Sequence, residues 1–491
     1  MASKATREGT SRTGDQHWLA AALLILLVGL GLHASGITGV HGWSDDGSAY
    51  LRHALNILEG RPYNQIPYAN IGEQSPAIVY PPVLPLLLTP LIQIWGIDFR
   101  VFQFAMLGVF MLAAVVTLAA LGRTFSKWTA LAAVALLVLD SELGTDNQHI
   151  NSDFLGLLWV AAFVWWVEGF DWRAQAGRAL AWRSGIAAAL LILAIETRTV
   201  NAIFLAAVPL CSLWRYRKLT TFAWITPTVA IISVALMSTG SSSADGYLRA
   251  LQSVFSLAAV RRNIIQYSLS LSDFMGMPNT GGSQWIALAA MAVAIYGAFC
   301  LARTARPIWL LTMGLYAPVL LVWPYSDPIR FLIPTLPMLL ACFVHGTSTL
   351  TEKLPERTGS WIRVGLPLLV LLSSARAYAL LPPIESGLNS PASLEMYQAV
   401  QQMTAPKSVI ASRKPRSLSL FTKRYSVTYS HVAPADMRQE FCEAGVTHVV
   451  SAPATFIDDE QYIEPMLAEG GFELLFQNSE FSIYRMTLPC R

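Results

Sequence analysis

The sequence predicts a polytopic α-helical membrane protein of about eleven transmembrane helices, closed by a small C-terminal extracytoplasmic α/β domain. Three observations carry that fold class. Of the 491 residues, 54% are hydrophobic and only 13% charged, whereas soluble domains carry about 25% charged residues. Apolar runs long enough for helices recur between residues 18 and 383. Beyond about residue 384 the runs shorten and alternate with polar residues, the pattern of strands half-buried on a sheet.

The elements follow in order. Residues 1–17 form a polar, weakly basic tail (Lys4, Arg7, Arg12) on the cytoplasmic side. The run at 18–38 is long enough to span and reads as a retained first helix rather than a cleaved signal. Residues 47–97 read as interfacial segments. Within them, 78–97 carries Pro81, Pro82, Pro85 and Pro90; each proline removes a backbone donor, so the run is expected to be broken and either interfacial or re-entrant. Further spans are expected at about 101–121, 127–140, 153–168, 183–196, 199–213, 221–239, 285–302, 307–324, 329–346 and 362–381. A long outer loop is expected at about 240–284.

Charge fixes the expected orientation. With the proline-rich run not crossing, the short basic connections (Arg123/Lys127, Arg173/Arg178/Arg183, Arg215/Arg217/Lys218, Arg303/Arg306 and Lys353/Arg357/Arg363) fall on one side. That side is cytoplasmic by the positive-inside rule, and the C-terminus is outside. The 384–491 domain alternates strands near 408–411, 447–450, 472–476 and 481–484 with helices near 394–403 and 435–444. No phosphate loop or catalytic triad stands out in it, so its expected role is docking or stabilisation. The five cysteines lack metal-ligand spacing; Cys442 and Cys490 pair only if this domain is extracytoplasmic. A net charge of +3 gives no reason to expect nucleic acid or another polyanion as a partner.

Side chains suited to chemistry collect on the outer face. Asp45 and Asp46 stand just beyond the first span, ahead of a helical stretch bearing Tyr50 and His53. Asp153 opens the next outward-facing helix after a polar loop containing His149. One carboxylate suffices to cap a helix, so two adjacent ones also suit acid/base work on a substrate held at the membrane surface. Arg198 and Arg330 sit at helix mouths, Arg261 and Arg262 in the expected outer loop, and Tyr80 and Tyr325 beside prolines. Such arginines either snorkel to headgroups or bind a phosphate. No spaced His/Asp/Glu set demands a metal; no cofactor is implied and a divalent ion is left open.

Four stretches give the chain a family likeness. They are Asp45-Asp46-Gly47-Ser48-Ala49-Tyr50-Leu51 followed by Gly60-Arg61-Pro62-Tyr63; Tyr80-Pro81-Pro82-Val83-Leu84-Pro85-Leu86-Leu87; Thr197-Arg198-Thr199-Val200; and Arg330-Phe331-Leu332-Ile333-Pro334-Thr335-Leu336-Pro337. In order and spacing they resemble the GT-C superfamily of polytopic glycosyltransferases, in particular the protein mannosyltransferase and lipid A aminoarabinose transferase group. The resemblance implies transfer of a sugar from a polyprenyl-phosphate donor to a glycan, lipid or protein acceptor. It implies a catalytic acid at Asp45 or Asp46 and a second at Asp153. The usual family pairing in the first loop is Asp-Glu, whereas this chain has Asp-Asp. Short loops and this resemblance together point to a bacterial cytoplasmic (inner) membrane. The competing readings are a flippase or transporter of a lipid-linked glycan and a scaffold acting through the C-terminal domain. Transporters place coupling residues near mid-membrane, often within internal repeats, and neither feature is evident here.

Overall fold

In the computed structural model the described residues are 2–70, 79–174, 176–237, 257–277, 281–323, 328–352, 354–380, 384 and 386–487. The architecture is that of an integral membrane protein. Among the described residues six helices are long and apolar enough to cross a bilayer: Asp15–Ser35, Phe99–Leu121, Gly177–Ile195, Thr199–Tyr216, Gly282–Thr304 and Glu356–Ala379. Six shorter apolar helices, including Lys127–Val138, Asp153–Val167 and Leu336–Thr351, pack among them.

Local chemistry sets several helix starts. Asp98 accepts from the backbone amides of Arg100 and Val101, and Ser126 accepts from that of Thr129, each satisfying orphan donors of a first turn. Helix Gly281–Thr304 lies against Leu336–Thr351 through Gly297 and Gly346. A Cβ at Gly297 would lie 2.0 Å from the Cys342 carbonyl oxygen, and one at Gly346 2.3 Å from that of Val293. Only residues without a side chain allow this approach of two backbones.

One sequence-based expectation needs correction, and two others gain local detail. The proline-rich run is one continuous helix, Val83–Trp95, packed on helix Asp45–Leu58. Pro81 and Pro82 precede it and Pro85 lies in its first turn, where the missing N–H has no partner to lose. Pro90 alone interrupts the ladder. The expected outer loop contains a helix, Leu257–Phe274, held by the Asn263 amide, which donates to the carbonyls of Leu320, Leu321 and Trp323. The span expected at 329–346 divides into Pro328–Leu332 and Leu336–Thr351. Pro334 lies in the break, and its carbonyl accepts the Trp309 indole N–H at 3.0 Å.

The C-terminal part builds a six-stranded mixed sheet in the order β1-β3-β2-β4-β6-β5. The strands are β1 (Tyr68–Asn70), β2 (Val409–Ala411), β3 (Tyr425–Thr428), β4 (Val446–Ser451), β5 (Phe472–Gln477) and β6 (Ser482–Met486). The first four are parallel to their neighbours among themselves, and β5 and β6 run antiparallel. Asn478 turns β5 into β6: its Oδ1 accepts the amides of Glu480 and Phe481. One sheet face covers Tyr397, Val400, Leu418 and Phe481, the other Met437, Phe441, Ile463 and Met466. Strand β1 comes from the region expected to be interfacial, so the sheet draws on chain from both sides of residue 384. Cys442 is disulfide-bonded; Cys490 lies outside the described residues.

Candidate active site

Helix Asp45–Leu58 begins with two carboxylates that face different neighbours. Its N-cap residue Ser44 makes no side-chain cap bond, and both acids stand in the first turn, where the helix dipole favours negative charge. Asp45 Oδ1 accepts from the Ser417 backbone amide at 3.2 Å and from its hydroxyl at 2.9 Å. Asp46 Oδ1 accepts from Arg416 Nη1 at 2.8 Å and the Tyr80 hydroxyl at 2.5 Å, while its Oδ2 lies 3.2 Å from Arg330 Nη2. Burial alone would raise the Asp46 carboxyl; Arg330, Arg416 and the Tyr80 hydroxyl outweigh it and hold the group well below the usual carboxylate range.

The second acidic loop meets the first through one arginine. Asp153, fully buried, pairs with Arg198 through Oδ1 and accepts from Arg330 Nε through Oδ2 at 2.9 Å. Arg330 therefore bridges Asp46 and Asp153, and its place on Pro328–Leu332, just before the Pro334 break, lets it reach both. Three guanidinium groups thus share two carboxylates, leaving one positive charge for an incoming anion. Tyr50 donates to or accepts from the Ser152 hydroxyl at 2.8 Å. Burial first, then the Asp46 charge, push its phenol up to about 12 and raise that of Tyr80 well above its ordinary value. Both remain protonated at neutral pH.

Two cavities flank this cluster. One, of about 240 Å³, is lined by Asp46, Tyr50, Tyr80, Ser152, Arg198, Arg330 and Arg416, with Val200, Trp323 and Phe331 adding apolar wall. The other, of about 430 Å³, is lined by Trp43, Ser44, Asp45, Asp46, Glu142, His149, Asn151, Ile329, Arg330 and Lys414. Asp46 and Arg330 are common to both and form the wall between them. Among the described residues no three His, Cys, Asp or Glu side chains group to hold a metal. Asp46 and Asp153 turn their oxygens to guanidinium groups, which stand where a cation would have to bind.

The other sequence candidates separate clearly. His149 lines the larger cavity, its ring 5.3 Å from that of His41. His53 lines neither: its Nδ1 bonds the Tyr63 carbonyl at 2.9 Å, its ring stacks on Tyr63, and its Nε2 accepts from the Tyr80 amide at 3.4 Å. It supports Tyr80 from behind. Arg261 and Arg262 are exposed on helix Leu257–Phe274 and line neither cavity. Their helical register turns them to the surface while Asn263 faces inward. Tyr325 lies outside the described residues. Arg416, Lys414, Trp323 and Phe331 were not foreseen; the signal available for the first two was their place just after β2, since ligand sites of α/β sheets form beyond the carboxyl ends of parallel strands.

Burial pushes His53 down to about 4 and, with the nearby His149, His41 down to about 3. Below pH ~6.5 the unfolded chain takes up protons that the folded chain refuses, so stability falls as pH drops from there towards pH ~4. Unfolding followed in detergent is expected to show this loss between pH 7 and 4.5, and His53→Gln to reduce its slope.

No family model matches the sequence, and no curated protein matches it. Solved structures do. ArnT from Cupriavidus metallidurans bound to undecaprenyl phosphate superposes with a TM-score of 0.56 at 12% identity, over 94% of this chain and 97% of that one. The archaeal oligosaccharyltransferase AglB from Archaeoglobus fulgidus, in complex with an inhibitory peptide and a dolichol-phosphate, gives 0.56 at 12% identity over 96% and 74%. The chain shares the fold of these two structures. The mycobacterial arabinofuranosyltransferase AftD superposes with a TM-score of 0.51 at 12% identity, over 96% of this chain and 40% of its own. On this scaffold the acidic start of helix Asp45–Leu58, the Arg198 turn and the Arg330 helix converge on one cavity, and the C-terminal part supplies Arg416.

Proposed function

We propose that the protein is a membrane glycosyltransferase that moves a sugar from a polyprenyl-phosphate donor to a glycan, lipid or protein acceptor at the extracytoplasmic face. The observation that carries this reading is Asp46 held between Arg330 and Arg416 at the wall of the cavity. The GT-C neighbours add support, since one is bound to undecaprenyl phosphate and another to a dolichol-phosphate. The basic short connections support a cytoplasmic N-terminus and an outer C-terminal domain.

In the proposed inverting single displacement, an acceptor oxygen attacks the anomeric carbon as the bond from that carbon to the phosphate oxygen breaks. The acceptor proton passes to Asp46, and polyprenyl phosphate leaves with the electron pair of the broken bond. The cationic wall of Arg198, Arg330 and Arg416 holds the phosphate as its charge grows. A donor phosphate also competes for Arg330 and Arg416, loosening their hold on Asp46 and raising its basicity as the substrate binds. Asp153 lines neither cavity and is tied to two arginines, so in this reading it positions Arg198 and Arg330 rather than moving a proton. Asp45, bound to Ser417, is likewise removed from the proton transfer.

Reconstitution of the full chain with radiolabelled polyprenyl-phosphate sugars tests the proposal. The expected result is donor consumption with stoichiometric polyprenyl phosphate, carried out by the wild type and lost in Asp46→Asn. Passage of intact lipid-linked sugar across the vesicle with no bond cleavage would overturn it in favour of transport.

A further inference from the structure

The short helix Pro415–Thr422 lies across helix Asp45–Leu58 and is gripped at both ends by it. Positions 45, 48 and 52 are spaced three and four residues apart, so they share one helix face. At the near end Asp45 accepts from the Ser417 amide and hydroxyl at 3.2 and 2.9 Å. In the middle the Ser48 and Ser417 hydroxyls are 2.9 Å apart. At the far end buried Arg52 donates Nη2 to the carbonyls of Ser419 and Leu420 at 3.3 and 3.5 Å. A carboxylate thus meets the N-terminus and a guanidinium the C-terminus, each matching the sign of the dipole it faces. Lys414, the N-cap residue, makes no side-chain cap bond; Asp45 supplies that cap from more than three hundred residues away. Arg416 stands immediately before the Ser417 grip, in the first turn of the clamped helix. Its guanidinium lies over the rings of Tyr68 and Tyr80, 5.7 and 5.4 Å from their centroids, and reaches Asp46 and the Tyr80 hydroxyl at 2.8 and 2.7 Å.

We propose that Asp45, Ser48 and Arg52 form a clamp that positions Arg416, so that the anion-binding cavity is complete only while the C-terminal helix is docked. The proposal rests on the reading that this cavity receives a lipid-linked phosphate. Asp45 is then a positioning residue, and the adjacent acids divide the work: Asp45 sets Arg416 in place and Asp46 meets it.

The test uses the full chain in nanodiscs and radiolabelled undecaprenyl phosphate as the probe. No binding by the wild type overturns the phosphate reading itself, and the clamp with it. Given wild-type binding, Arg416→Gln is expected to weaken the dissociation constant about 10-fold or more, as loss of a charge-assisted bond does. Asp45→Ala is expected to weaken it about 2- to 30-fold, the range for a lost cap. A tether then separates positioning from direct contact. With Ser48→Cys and Ser417→Cys added to Asp45→Ala, an oxidised cross-link is expected to restore binding to within about twofold of the tethered Asp45 protein, and reduction to abolish the rescue. The same tether leaves Arg416→Gln weak. Normal binding by untethered Asp45→Ala, or a formed cross-link that restores nothing, overturns the clamp.

Discussion

Asp46→Asn is expected to lower turnover by about 10²- to 10⁴-fold, the contribution of a positioned general base, without weakening the donor complex. The substitution keeps the shape of the side chain and an oxygen for the Tyr80 hydroxyl to bond. What disappears is the site for the acceptor proton and the negative charge between Arg330 and Arg416. Those two guanidinium groups are then free to hold a phosphate more tightly, so KM for the donor is expected to stay level or fall while kcat collapses. Initial rates over a range of donor concentrations separate the two effects. A kcat close to the wild-type value removes Asp46 from the chemistry.

Asp153→Ala is expected to act first on stability. The carboxylate is fully buried between Arg198 and Arg330, and its removal leaves two cations facing each other across a desolvated gap. Breaking a buried pair in this way costs about 3–5 kcal/mol, enough to lower the unfolding temperature and the yield of folded protein sharply. Replacing both partners with apolar groups is far less costly, so Asp153→Leu combined with Arg198→Met is expected to recover much of the lost stability but not activity. Thermal unfolding in detergent measures both. Equal stability of Asp153→Ala and the wild type would sink the account of Asp153 as the counter-ion of the arginine pair.

Much of the site was legible because its parts stand at element boundaries. Asp46, Asp153, Arg198 and Arg330 each lie where an apolar run begins or ends, and a charged side chain at such a boundary is readable from hydropathy alone. Their convergence was not readable, since nothing local says that Arg330 reaches both acids. Arg416 escaped notice for a plainer reason: it lies in a part read as an independent α/β domain, and its partners Asp46 and Tyr80 are 370 and 336 residues upstream. The distinct fates of Asp45 and Asp46 were hidden likewise, because they depend on which residue the C-terminal helix presents to each. Counting prolines misjudged 78–97, since position within the helix, rather than number, decides whether a proline breaks it. Arg261 and Arg262 were placed by charge alone, and the helical register around Asn263 turned them outward.

Strand β1 has a consequence for how this molecule comes into being. Tyr68–Asn70 leaves the ribosome early, yet its neighbour Tyr425–Thr428 is made only near the end of translation. For most of synthesis the nascent polypeptide therefore carries a bare ribbon on the side where the sheet will assemble. A fragment secreted from residue 384 onward has the converse defect: β3 becomes an open border, with unpaired amides and carbonyls able to recruit a second copy. Such a fragment is expected to self-associate until a peptide spanning Tyr68–Asn70 is supplied in trans.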